Sequence, residues 1–193
     1  FRNNVVYNWG VTNSAYGAEP TSPHPGSSNG LVRPSLVNYS NNYYSYGPST
    51  GSGKRFRIFD FSSIAKEVGK TYKDVEVTPS QFYMADNYVD GSSTVTNNNW
   101  ASDGINLSDI TDNVIKMEEP FLLGDETYSD LNIPEDKLLA GKEVKADVLT
   151  DVGATLPKRD SIDARVVADA ENRTGRIINM EEEVGGFTGI ENS

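Results

Sequence analysis

Asn41-Asn42-Tyr43-Tyr44-Ser45 is the stretch from which the rest of the chain is read. It is a β-prone aromatic run that opens on two asparagines. The pattern occurs earlier as Asn3-Asn4-Val5-Val6-Tyr7 and later as Asp86-Asn87-Tyr88-Val89-Asp90. The second asparagine of each falls at 4, 42 and 87. Both intervals hold insertions: a Pro/Ser/Gly loop from Glu19 to Arg33, and a segment from Ser62 to Thr78 that includes the helix-like Ser63-Ile64-Ala65-Lys66-Glu67-Val68. Without them the repeat is roughly 20–30 residues, within the range of stacked repeats. Asparagine tolerates the left-handed conformation of a tight corner, and its amide can bond the equivalent asparagine one layer above and below. Such a ladder would satisfy polar groups that stacking otherwise buries unpaired. The competing reading is that Asn-Asn-Tyr recurs by composition alone in an asparagine-rich chain.

Working outward, Val5-Val6-Tyr7, Leu36-Val37-Asn38-Tyr39, Arg55-Phe56-Arg57-Ile58-Phe59 and Gln81-Phe82-Tyr83-Met84 are each about one strand long and end near Asn, Gly or Pro. Residues 1–100 are expected to form stacked β coils with insertions at about 19–33 and 60–80. Residues 101–193 are expected to hold a final coil or irregular segment and a helical C-terminal cap. A short helix is expected over 134–140, starting near Pro134. A clearer one is expected from Asp160 or Ser161 to Ala170, with Ile162, Val166 and Ala170 on one face and Gly175 just past its end. Val184-Gly185-Gly186-Phe187 is expected to be a flexible tail with one aromatic anchor.

The chain has 193 residues, 17 Lys plus Arg and 28 Asp plus Glu, a formal charge of −11. A surface that acidic repels phosphate backbones, so no nucleic-acid partner is expected. Hydrophobic residues are 36% and aromatics 10%, too many for a disordered chain. There is no cysteine, which excludes disulfides, thiolate nucleophiles and cysteine zinc sites. The lone His24, between Pro23 and Pro25, reads as surface decoration and makes a Ser-His-Asp triad a poor expectation. No apolar run approaches the ~18 residues of a membrane span, so none is expected. The chain opens at Phe1-Arg2-Asn3-Asn4-Val5 as though in mid-strand, which predicts processing or truncation.

The ordered series Phe1-Arg2-Asn3-Asn4-Val5-Val6-Tyr7-Asn8-Trp9-Gly10, Asn13-Ser14-Ala15-Tyr16-Gly17-Ala18-Glu19, Asn38 to Pro48 and Asp86 to Gly91 resembles the C-terminal half of secreted bacterial pectate lyases of the first polysaccharide-lyase family. The tail from Val152 through Arg165, with Gly175-Arg176-Ile177-Ile178-Asn179, is similar to their C-terminal segment. The resemblance implies an all-β fold, a right-handed parallel β-helix, and a lyase that cleaves pectate or polygalacturonate by calcium-assisted β-elimination. It implies a secreted, periplasmic or cell-surface protein. In that chemistry a base removes the proton α to a uronate carboxylate and the enolate-like charge is neutralised. The family's calcium-binding acids and catalytic arginine precede the stretch that Phe1-Arg2-Asn3-Asn4 resembles. No catalytic residue is therefore expected in this chain, Arg2 included, and the calcium ligands are expected outside it. The expected partners are the acidic polysaccharide and the N-terminal remainder of the same protein.

Candidate substrate-binding residues are Lys54, Arg55 and Arg57, the only dense basic cluster, with Tyr16 and Glu19 in the turn after the first coil. Three cations in four residues could hold a uronate carboxylate, or form a solvated strand edge that discourages aggregation. Tyr43, Tyr44 and Tyr46 could stack on sugar rings, or on one another inside the fold. Asp103, Asp109 and Asp112 offer oxygen ligands beside Gly104 but lack EF-hand spacing, which favours a turn with helix-capping aspartates. Glu181-Glu182-Glu183 reads as a solvated acidic face. Sequons at Asn38, Asn106 and Asn172 read as chance matches. Two rivals remain beside the lyase: a β-solenoid that binds acidic glycans without chemistry, and a structural surface protein.

Overall fold

The computed structural model describes residues 1–16, 36–61, 71–72, 75–76, 79–106, 114–122, 134 and 137–186. The three asparagine pairs form corners, and the two residues of each pair divide the work. Asn3, Asn41 and Asp86 take left-handed φ values of 55°, 56° and 57°. That conformation suits Asn and Asp, whose short polar side chains bond locally. The next residues, Asn4, Asn42 and Asn87, turn their amides inward and bond one another in a row, with Asn99 as a fourth rung. The ladder is thus formed, and Asn42 and Asn87 are fully buried.

The strands around these corners are short because each corner ends one. They are β1 (Val5–Tyr7), β2 (Leu36–Ser40), β3 (Tyr43–Ser45), β4 (Phe59–Asp60), β5 (Thr71–Tyr72), β6 (Val75–Glu76), β7 (Ser80–Ala85), β8 (Tyr88–Val89), β9 (Ile105–Asn106) and β10 (Val114–Lys116). They make a three-stranded sheet β1-β3-β8, a second β10-β7-β2, and the two-stranded sheets β4-β9 and β5-β6. The first three are parallel; β5 and β6 pair antiparallel. The described residues also hold three α-helices: α1 (Ser93–Asn97), between β8 and β9, and α2 (Gly141–Asp151) and α3 (Ser161–Asn172), after β10.

The expected all-β right-handed parallel β-helix is therefore corrected. The described residues form separate sheets of two or three strands with three helices, a mixed α/β arrangement without solenoid coiling. The recurring asparagines report that corners stack, which requires only short parallel pairings beside them. They do not report that strands continue from one corner to the next as coils.

The core lies between the sheets and is aromatic. β7 alternates as a half-buried strand should, with Ser80, Phe82 and Met84 buried and Gln81, Tyr83 and Ala85 half-buried. Phe82 meets Phe61 at 4.9 Å between ring centroids, Phe61 meets Phe59 at 4.4 Å, and Trp100 stacks on Phe61 at 5.8 Å. Tyr44 is fully buried and Tyr43 packs on Tyr88 at 5.1 Å, so both make internal ring contacts. The expected strand over 55–59 begins only at Phe59, since Ser52–Lys54 is a 3-10 turn.

The helices reach the sheets through a short strap, residues 137–140. Asn3 Nδ2 donates to the Lys137 carbonyl (3.1 Å) and Asn41 Nδ2 to that of Leu139 (3.0 Å). Level with the third corner stands Gly141, where a Cβ would lie 2.3 Å from the Asp86 carbonyl and 2.8 Å from the Tyr88 nitrogen. Aspartate has no amide to donate, and the close approach admits only glycine. Of the short helix expected over 134–140, residues 135–136 lie outside the described residues, Lys137 is in a 3-10 turn and 138–140 are not helical; α2 starts after them, at Gly141. α3 starts as expected, with Asp160 accepting from the backbone of Ile162 and Asp163. Its face differs: Ala170 is buried but Val166 is 53% exposed. The helix ends on Arg173, left-handed at φ 57°, ahead of Gly175. The insertion at 19–33, the Ser63–Val68 segment and His24 lie outside the described residues. Among the described residues no helix is long and apolar enough to cross a membrane.

Candidate functional site

The corners and the strap enclose an open groove of about 840 Å³. Arg2 enters it from the chain start, fixed by a bridge to Ser40 and by the Phe1 ammonium, which donates to the Asn38 carbonyl at 2.7 Å. Tyr83 enters from the outward face of β7, Asp86 from its corner, and Tyr88 from β8. Lys142 projects from the first turn of α2. Glu119 is placed by Asn38, whose amide bonds the backbone of Phe121 both ways, at 2.6 and 2.7 Å. This double bond also gives the Asn38 side chain a structural role.

The groove is electrically mixed. Arg2 and Lys142 oppose Asp86 and Glu119, and tyrosine rings lie between them. Burial, then the charges of Asp86 and Glu119, raise the Tyr83 hydroxyl above its ordinary value, so it is a neutral donor at physiological pH. The N-terminus of α2 adds positive potential at the end where Lys142 stands, and Ala140 provides no side-chain cap. Two cations near aromatic faces and hydrogen-bonding groups can hold a carboxylate on a ring-shaped polar ligand. Among the described residues no group of three His, Cys, Asp or Glu side chains converges.

A second cluster joins α3 to the sheet β1-β3-β8. Arg173 pairs with Asp90, and its Nε donates to Ser45 Oγ at 3.1 Å. Tyr43 donates to Asp90 at 2.9 Å, and Lys145 lies over the Tyr43 ring. Burial raises the Asp90 carboxyl, but hydrogen bonds from Arg173 and Tyr43 outweigh it and hold the group below the ordinary carboxylate range. Tyr7 adds a bond to the Thr174 carbonyl. Every member is engaged within the protein, so the cluster is a latch.

The residues of the basic cluster expected from sequence meet different neighbours. Arg55 lies over the Tyr46 ring at 4.9 Å from its centroid, and Arg173 lies over the same ring at 4.8 Å. The Lys54 carbonyl accepts from the Trp9 indole at 3.1 Å. Arg57 has its Nε buried without a hydrogen-bond partner. Tyr16 is 78% exposed and bridges to Asp60. None of these lines the groove, and Glu19, Asp109 and Asp112 lie outside the described residues. The sequence reading set Arg2 aside and passed over Lys142, Tyr83 and Glu119, which lie far apart in the chain. The only signal for them is the alternation of β7, which turns Tyr83 outward. Neither family models nor curated proteins match this chain, and nothing in those comparisons identifies it as pectate-lyase-like.

Proposed function

We propose that this chain binds an acidic oligosaccharide of the pectate or polygalacturonate class in the groove between Arg2 and Lys142. The observation that carries the reading is the pairing of those two cations with Tyr83 and Tyr88 in one open cleft, in a chain whose net charge is −11. A polyanion approaching so acidic a surface needs a local cationic clamp with neutral ring surfaces and hydrogen-bond donors, and the groove combines them. A lyase reading stands behind this one, favoured by the ordered residue resemblance. In it the elimination step and its calcium belong to groups outside this chain.

Calorimetric titration with a defined oligogalacturonate, against the matched neutral oligogalactose, tests the binding. Binding of the acidic oligomer alone, weakened at least about tenfold by Arg2→Ala with Lys142→Ala, is the expected result. Equal binding of both oligomers, no binding at millimolar ligand, or an unaffected double variant would overturn the assignment. Appearance of unsaturated product in the same sample would raise the lyase reading above simple binding.

A further inference from the structure

A second cleft, of about 430 Å³, lies between α2 and α3 beside Tyr43. Lys142, Lys145 and Leu149 line it from α2, at spacings of three and four residues that put them on one helix face. Val167 and Glu171 line it from α3. Two features carry over from the groove into this cleft. Lys142 lines both. Tyr88 lines the groove and Tyr43 the cleft, and their rings lie 5.1 Å apart between centroids. Cations and aromatic rings thus continue together across the boundary.

Lys145 is the group that the cleft adds. Its ammonium stands over the Tyr43 ring, 5.5 Å from the centroid, which holds the charge in place. An ammonium has three donors. Among the described residues Lys145 gives one of them to the protein, to the Glu171 carbonyl at 3.0 Å. The Tyr43 hydroxyl is committed to Asp90, so its ring offers the cleft an apolar surface. Among the described residues that line the cleft, Glu171 is the one carboxylate against two ammonium groups. The lining is therefore net positive, in a chain of net charge −11.

We propose that the acidic oligosaccharide held in the groove continues past Lys142 into the cleft between α2 and α3, where Lys145 takes a further uronate carboxylate. The inference rests on the reading of the groove as an oligogalacturonate site and adds a second subsite to it. Three helical residues advance about 4.5 Å, on the order of one sugar unit, so neighbouring uronates can meet Lys142 and Lys145 in turn. A short oligomer fills the groove alone, whereas a longer one engages both clefts, so the site favours polymer over its small fragments.

Calorimetric titration with oligogalacturonates of graded length, from dimer to octamer, tests the second subsite. In the unaltered protein, affinity is expected to step up by about fivefold once the oligomer outgrows the groove, the scale of a surface ion pair. Lys145→Ala is expected to remove the step. Lys158→Ala, which deletes the same charge at an exposed position outside both clefts, is expected to keep it. The step is a ratio of long to short oligomer within each protein, so a general loss of stability cancels. Affinity that is flat in length, a step that survives Lys145→Ala, or one that vanishes in Lys158→Ala would overturn the second subsite and leave the groove standing. No binding at any length would overturn both.

Discussion

Within each corner pair the first residue accepts an unusual backbone and the second accepts burial. The two positions should respond differently to mutation. Asn42→Ala removes the side-chain amide donor and the acceptor at the middle of the ladder and takes the shared acceptor from the Asn4 backbone N–H and side-chain amide. Urea unfolding should show a loss of about 3 kcal/mol or more, since buried polar groups left unpaired carry their full desolvation cost. Asn41→Gly keeps the φ of 56° available and gives up one bond, to Leu139, so its cost should stay near 1 kcal/mol. A similar loss for the two variants would refute the division of roles. The sequence displayed these pairs openly because the same two jobs recur at every corner. Asn99 was passed over although Asn98 precedes it: Asn98 ends the Ser93–Asn97 helix in an extended conformation, φ −145°, so the pair does not form a left-handed corner like the others.

At the scale of elements, the latch between α3 and the sheet is the feature that pH should reveal. The Asp90 carboxyl is depressed in the folded protein, so its contribution is present above the ordinary carboxylate range and is lost as pH falls through the folded value. Acid titration should release α3 contacts in that window, read from the environment of Tyr43. Asp90→Asn should flatten this acid dependence and lower stability by about 1–2 kcal/mol at neutral pH. An unchanged acid profile in the variant would remove the latch from the account. The sequence announced α3 through its Asp160 cap, because capping is local chemistry. It did not announce Arg173 as the terminus, because a left-handed arginine is tolerated there only by contacts to Asp90 and Ser45, far away in the chain. α2 was not expected from the sequence, and the close approach of its Gly141 to the Asp86 carbonyl comes from residues far away in the chain.

At the scale of the molecule, one aromatic core serves several small sheets, so they should fail together. Burial pushes the Tyr39 hydroxyl up to about 12 and raises that of Tyr44 well above its ordinary value. Stability from these neutral hydroxyls is present below the ordinary tyrosine range and is lost as pH rises through the folded values. Spectrophotometric titration should find Tyr39 and Tyr44 among the tyrosines that ionise only as the secondary structure is lost; their ionisation with circular dichroism intact would show a looser core. Strand positions were legible from alternating apolar residues, as in β7, whereas the architecture was not, because three stacked corners are compatible with both continuous coils and short separate sheets. The groove was equally illegible, since Arg2, Tyr83, Glu119 and Lys142 meet only through that architecture. The strap carries a consequence of another kind. Its carbonyls mesh with successive corners at every second residue, 137 and then 139, before Gly141. Two extended residues span about 6.6 Å against the roughly 4.8 Å between neighbouring strands, so the strap must cross the corners obliquely. Its length is then fixed in parity: a change by one residue reverses every carbonyl, whereas a change by two restores the mesh one tooth along.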